Sequence, residues 1–490
     1  MRKSGILMHI SSLPSPYGIG TVGKCAYDFV DFLHNAGQRY WQILPLNPTG
    51  YGDSPYQAFS CYAGNHYLID LDMLIEEGLL EREEVDSVRW FRDETRVDYG
   101  CLYSHRLQLL RKAYSRFTPT DDFRTFVTEN ANWLEDYTLF MALKEKFHGD
   151  DWQSWPKELM MHVPLCLEVV RKELADTIGL HQFLQYIFFC QWNALRDYAA
   201  QKGIRIFGDV PIYVPLDSAD VWANPQLFQL DEQLRPTAVA GCPPDSFTAD
   251  GQLWGNPLYN WDLMKKNGYN WWIRRLGAAA RMYDAVRLDH FRGFESFWSV
   301  PAGDKTAAGG EWKKGPGLDF IQAVQKALPE LELIAEDLGF VTAEVRQLQE
   351  DSGYPGMKVM QFAFDSREES EYLPHTYPVN SVCYTGTHDN FTMLQWFQVA
   401  SEEDIAVAKA YLGLNEEEGL VWGVIRGCMG SVSKLCIIQM QDYLELDGTA
   451  RMNCPGVLSS DNWSWRAKKG FITKELTRRI YETTRRYGRL

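Results

Sequence analysis

Short apolar runs that end in polar or acidic residues recur along the 490-residue chain, and several are followed by a helical pattern. The runs at 6–13, 40–46, 204–214, 285–289, 333–336, 357–364, 381–387 and 435–438 read as strands. Helical patterns follow at 26–36 and 317–328. Another opens at Thr342 as N-cap and stops near Gly353-Tyr354-Pro355, and one begins with the capping sequence Ser401-Glu402-Glu403-Asp404. Strand-then-helix repetition predicts a parallel sheet with helical crossovers, and about eight such strands suit a closed (β/α)8 TIM barrel. Two stretches break the rhythm. Residues 47–203 read as a large, mainly helical insertion, with helices at 102–117, 123–147 and 180–201. Residues 216–260, rich in Pro, Gly and Asp, read as a loop insertion near the active site. The expectation is one catalytic barrel over 1–490, carrying both insertions between its strands.

Composition narrows the partners. Hydrophobic residues at 45% and charged residues at 23% support a sizeable core. A formal charge of −16 argues against a nucleic-acid partner, whose phosphates call for clustered Lys and Arg. It leaves a neutral ligand open. Ten cysteines contain no CxxC or other close pair, which reads as unpaired thiols in a reducing, cytoplasmic setting with no metal site. The start Met1-Arg2-Lys3 imitates a signal peptide, but the apolar run after it is short and ends at Ser11-Ser12 and Pro14. No stretch reaches the roughly 18–20 apolar residues of a membrane span. Aromatic residues, at 14%, fit either a large core or rings that stack on sugars, and composition does not separate the two.

Candidate chemistry lies at three strand ends. In 285–293, Arg287 and Asp289 stand two apart and so share one strand face. An arginine beside a carboxylate favours its ionised form, as a nucleophile requires, although an isolated pair of this kind is more often structural. The run 333–339 ends in Glu336 and Asp337 on opposite faces, one toward a barrel mouth and one toward the helices. The run 384–390 closes on His388-Asp389-Asn390. Three acids at the C-terminal ends of strands occupy the place where barrel enzymes keep catalytic groups. Two carboxyls flanking a glycosidic bond are the minimum for glycoside chemistry.

Ordered blocks then carry a resemblance over nearly the whole chain: His9-Ile-Ser-Ser-Leu-Pro14 with Tyr17-Gly-Ile-Gly20, Tyr51-Gly-Asp-Ser-Pro-Tyr56, Asn65-His-Tyr-Leu-Ile-Asp70, Phe207-Gly-Asp-Val-Pro-Ile-Tyr213, Pro243-Pro-Asp-Ser-Phe247, Gly251-Gln-Leu-Trp-Gly-Asn-Pro257, the three acidic strands, Arg451-Met-Asn453 and Asn462-Trp-Ser-Trp-Arg466. The chain resembles the 4-α-glucanotransferases (amylomaltases) of glycoside hydrolase family 77, in the α-amylase clan. The resemblance implies that Asp289 is the nucleophile, Glu336 rather than Asp337 the general acid/base, and Asp389 the transition-state stabiliser. It implies substrate-binding roles for Tyr51, Ser54, Tyr56, Asp209, Phe247, Trp254, Asn256, Arg287 and His388. It also implies transfer of α-1,4-glucan segments among maltooligosaccharides by a retaining double displacement, with no cofactor and no metal. The residues alone leave an α-amylase-type retaining hydrolase as the alternative. Cys242 and Ser246 depart from the family's aliphatic and tyrosine, which bears on acceptor preference.

Overall fold

A computed structural model describes residues 2–50, 52–244, 250–339 and 341–490. Eight parallel strands form its centre: β1 (Lys3–Leu7), β2 (Tyr40–Gln42), β3 (Arg205–Val210), β4 (Ala285–Leu288), β5 (Glu332–Ala335), β6 (Gly356–Val359), β7 (Ser381–Tyr384) and β8 (Leu435–Gln439). They pair in the order β6-β7-β8-β1-β2-β3-β4-β5. The ends of that row also meet. Ala335 N–H donates to Pro355 O at 2.9 Å, and Met357 N–H donates to the Asp337 carboxylate at 2.6 Å, so β5 and β6 lie side by side and the row curls into a barrel.

The first strands are shorter than the apolar pattern predicts. β1 stops at Leu7 and β2 at Gln42, yet Ile10, Leu13, Ile43, Leu44 and Leu46 are all at most 1% exposed. These residues are buried in the core just beyond the named strands, and only Ile43 still bonds to the neighbouring strand, its N–H donating to Phe207 O at 2.9 Å. Helix signals are read more faithfully, because capping is local. Thr342 accepts from Val345 N–H to open Ala343–Ser352, which ends at Gly353 with a φ of 68°. Ser401 accepts from Asp404 N–H to open Glu402–Leu412.

Between β2 and β3 run the helices Tyr99–Arg116, Asp121–Glu129, Ala131–Lys146 and Ala175–Gln201. Asn130 separates two of them where the sequence predicts one continuous helix over 123–147. The long helix Ala175–Gln201 anchors the loop leaving β2. Gln185 bonds both the N–H and the C=O of Gly64, and Gln191 does the same for Asp70. Four peptide groups are thereby satisfied by two buried amides, which fixes the loop that carries Ser54 and Tyr56.

The segment 216–260 contains more order than a loop. Ala238–Cys242 and Gln252–Pro257 are strands, and they join Ser296–Pro301 and Glu311–Lys314 in a four-stranded antiparallel sheet beside the barrel mouth. Among the described residues, no helix is long and apolar enough to cross a membrane.

Candidate active site

Parallel pairing brings the acids together. Leu288 of β4 is level with Ala335 of β5, so the next residues, Asp289 and Glu336, emerge side by side at the C-terminal ends of adjacent strands. Adjacent strands lie about 4.8 Å apart, so these carboxyls begin as near neighbours. Asp209 of β3 is level with Arg287 of β4. Arg287, only 4% exposed, bonds both Asp209 oxygens at 3.0 and 2.8 Å and reaches Asp289 at 2.8 Å. The sequence-level reading that Arg287 and Asp289 share a face is therefore met by direct contact.

Burial alone would drive Arg287 toward neutrality, but Asp209 and Asp289 hold its guanidinium firmly protonated. Burial pushes the Asp209 carboxyl upward while Arg287 opposes the shift. Tyr56 adds a third restraint, its hydroxyl donating to Asp209 at 2.8 Å.

Glu336 is held differently. Its two oxygens accept from the backbone N–H of His290, at 2.7 Å, and of Leu338, at 3.0 Å. His290 has a φ of 50°, in the left-handed region, and this turn directly after Asp289 aims its N–H at Glu336. Burial is the main reason the Glu336 carboxyl is pushed up to about 7; Arg287 pulls it down and Asp289 pushes it up. Such a carboxyl can both give and take a proton near neutrality. Its neighbour Asp337 accepts from Met357 N–H instead and belongs to the barrel seam.

Asp389 sits across the mouth, beyond β7. Asn453 donates to its carboxylate at 2.6 Å, His388 Nε2 lies 3.3 Å away, and Arg451 grips the Asp389 carbonyl at 2.6 Å. His388 is 5% exposed, and burial holds its imidazole below the usual range although the nearby Asp389 carboxylate opposes the shift. Its face stacks on Tyr56, with centroids 5.3 Å apart, and Trp463 packs against both rings, 5.7 Å from Tyr56 and 6.0 Å from His388. Beneath them His9 lines a small cavity together with His388, Met452 and Trp465. His9 Nδ1 accepts from Leu44 N–H, which leaves the proton on Nε2.

Trp254 stands on the antiparallel sheet and meets His290 edge to face at 4.8 Å. Asn256, two residues on, is buried on the same strand. The Ser54 hydroxyl turns back to accept from Tyr56 N–H at 3.2 Å, so it shapes the loop that presents Tyr56. Tyr51, Ser246 and Phe247 lie outside the described residues. Sequence reasoning placed Asn453, Arg451 and Trp463 within its ordered blocks but assigned them no work. They come from a loop without periodicity, where only the polar and aromatic clustering of Arg451-Met-Asn453 and Asn462-Trp-Ser-Trp-Arg466 marks them. Among the described residues, no group of three or more His, Cys, Asp or Glu could hold a metal ion.

Comparison with known proteins points the same way. The model of a glycoside hydrolase family 77 domain, described as 4-alpha-glucanotransferase, matches residues 8–473. A 4-alpha-glucanotransferase of Clostridium butyricum is 49% identical over 98% of this chain and 100% of its own length. One from Streptococcus pneumoniae is 50% identical over 100% and 98%. Among solved structures, an amylomaltase from Streptococcus agalactiae in complex with acarbose superposes with a TM-score of 0.97 at 41% identity, covering 100% of both chains.

Proposed function

Because the chain belongs to the 4-alpha-glucanotransferase family, glycoside hydrolase family 77, we propose that its acids divide a retaining transfer between α-1,4-glucans. Glu336 gives its proton to the leaving glycosidic oxygen while the Asp289 carboxylate attacks the anomeric carbon. The C–O bond breaks, a covalent β-glycosyl ester forms, and the shortened glucan leaves. The 4-hydroxyl of another glucan then loses its proton to Glu336 and displaces Asp289, restoring an α-1,4 bond and the free carboxylate. Asp389, braced by His388 and Asn453, faces the positive charge that builds on the sugar ring between the two steps. Asp209 and Arg287 hold sugar hydroxyls and orient the nucleophile.

The observation that carries this reading is the pairing of unlike acids on neighbouring strand ends. Asp289 is gripped by a buried arginine, whereas Glu336 is lifted to about 7. Environments that separate two carboxyls in this way suit one as nucleophile and the other as acid/base. Retention calls for carboxyls about 5–5.5 Å apart, which neighbouring parallel strands provide readily.

Transfer and hydrolysis differ only in what attacks the ester. The antiparallel sheet with Trp254 and the anchored loop with Tyr56 cover the mouth, and excluding water favours a sugar acceptor. Tyr56, Trp254 and His388 supply faces for the pyranose rings, joined in this reading by Ser54, Asn256, Tyr51 and Phe247. The acarbose complex of the Streptococcus agalactiae amylomaltase supports an oligosaccharide in this cleft. We place the enzyme in the cytoplasm, in keeping with its scattered cysteines. Incubation with maltotriose is the test. Longer oligomers with free glucose are expected; maltose and glucose alone would make the enzyme a hydrolase.

A further inference from the structure

A second concave site lies outside the catalytic mouth. Tyr62 follows β2, and Trp271 and Arg274 open the helix Asn270–Met282 that leads into β4, so both lie toward the end of the barrel where the strands finish. The helix Ala131–Lys146 of the insertion contributes Asn132, Trp133 and Asp136. Together these residues line a solvent-open pocket. None of them touches the acids of the catalytic mouth.

Its chemistry is mixed in a particular way. The rings of Tyr62 and Trp133 lie nearly parallel, 15° apart with centroids at 6.2 Å. Around them the Tyr62 hydroxyl, the Trp271 indole N–H, the Asn132 amide and the Arg274 guanidinium have no hydrogen-bond partner among the described residues. Trp271 itself is 3% exposed. A carboxylate, Asp136, faces the same space, held 3.5 Å from His162 and 3.6 Å from Arg171. An apolar ligand would strand these polar groups, an anion would meet Asp136, and a small cation would meet Arg274. A neutral, hydroxyl-rich molecule with apolar faces suits this lining: the part-exposed Tyr62 ring takes a C–H face, and the polar groups take its hydroxyls.

We propose that this pocket is a second saccharide site, which holds glucosyl units of a long α-glucan while another part of that chain, or a neighbouring branch, occupies the catalytic mouth. The inference rests on the transfer activity proposed above. Two linked sites raise the effective concentration of long substrates without changing the chemistry, so the gain falls on polymers and spares short donors.

The test uses the full-length enzyme with Asn132→Ala and Arg274→Ala combined, both exposed positions, and separately Tyr62→Phe, which keeps the ring. Affinity for glycogen is read from retardation in native gels and compared with maltotriose turnover. The double variant is expected to lose about 10-fold in glycogen affinity, the size of one or two hydrogen bonds, with maltotriose turnover within about two-fold of the parent. Tyr62→Phe should move the same way by less. Unchanged retardation in the double variant, or maltotriose turnover falling in parallel with it, overturns the site. A parent that binds glycogen through these residues but transfers nothing from maltotriose keeps the site and overturns the activity reading instead.

Discussion

Asn453→Ala probes a residue that no strand pattern singled out. Asn453 makes the shortest contact to the Asp389 carboxylate, 2.6 Å, while His388 stands at 3.3 Å and Arg451 holds only the backbone. Without Asn453 the side chain retains one long contact from a neutral imidazole and can rotate away from the ring it faces. A hydrogen bond to a charged group contributes about 1.5–3 kcal/mol. The Asp389 side chain is 38% exposed, so water recovers part of that loss and the lower end applies. About 1.5–2 kcal/mol corresponds to roughly a 10- to 30-fold fall in rate. If Asp389 acts on the charge of the transition state, the loss falls on kcat, and KM for maltotriose changes little. Asn453→Asp should be worse, since it sets a second carboxylate against the first. Initial rates of glucose release from maltotriose, with circular dichroism to confirm folding, measure this directly. An Asn453→Ala enzyme within about two-fold of the parent in kcat, or an equally active Asn453→Asp, would refute the assigned role of Asp389 and its brace.

Other outcomes follow from the same geometry. Arg287→Met removes the cation between two carboxylates, one of them fully buried; breaking such a pair costs about 3–5 kcal/mol, so a lowered Tm and near-total loss of transfer are expected, and an unchanged melt would contradict the buried pairing. In the proposed mechanism Glu336 starts the reaction protonated, and burial lifts its carboxyl to about 7; kcat/KM should therefore fall as pH rises through about 7, whereas a plateau extending well beyond that would place the acid elsewhere. Gly208→Ala would set a Cβ 2.2 Å from the Tyr283 ring behind β3; overpacking of this kind costs about 1–3 kcal/mol, read as a lowered urea midpoint, and full stability would show that the ring can yield.

The barrel was legible in the sequence because its strands are buried on both sides and mostly apolar, as Ala285–Leu288 and Leu435–Gln439 are apart from Arg287 and Gln439. Residues just past the strands misled for the same reason: Ile10 and Leu44 are as buried as the strands but lie outside the strand ladders. The antiparallel sheet escaped notice because its strands lack any clear alternation. Glu311–Lys314 is exposed at every position, and Ala238–Cys242 is short and contains a glycine. Arg287, Asp289 and the pair Glu336-Asp337 could be located from strand ends alone, since backbone periodicity fixes which side chains share a face. Asn453 could not, because a loop residue reaches its partner 64 positions away through tertiary folding that no local spacing records. The choice between Glu336 and Asp337 was also beyond spacing. It depends on two backbone N–H groups, one of them presented by the left-handed turn at His290.

The claim that Asp289 forms a covalent bond to the sugar can be tested by trapping it. Glu336→Gln should still accept a glycosyl group from α-maltosyl fluoride, whose leaving group needs no acid, but should release it slowly for want of a base. Proteolysis and mass spectrometry are expected to find a maltosyl adduct on the peptide containing Asp289, absent when Asp289→Asn is added. An adduct on Asp389 or Asp209, or no adduct while the variant still turns the fluoride over with inversion, would contradict the account.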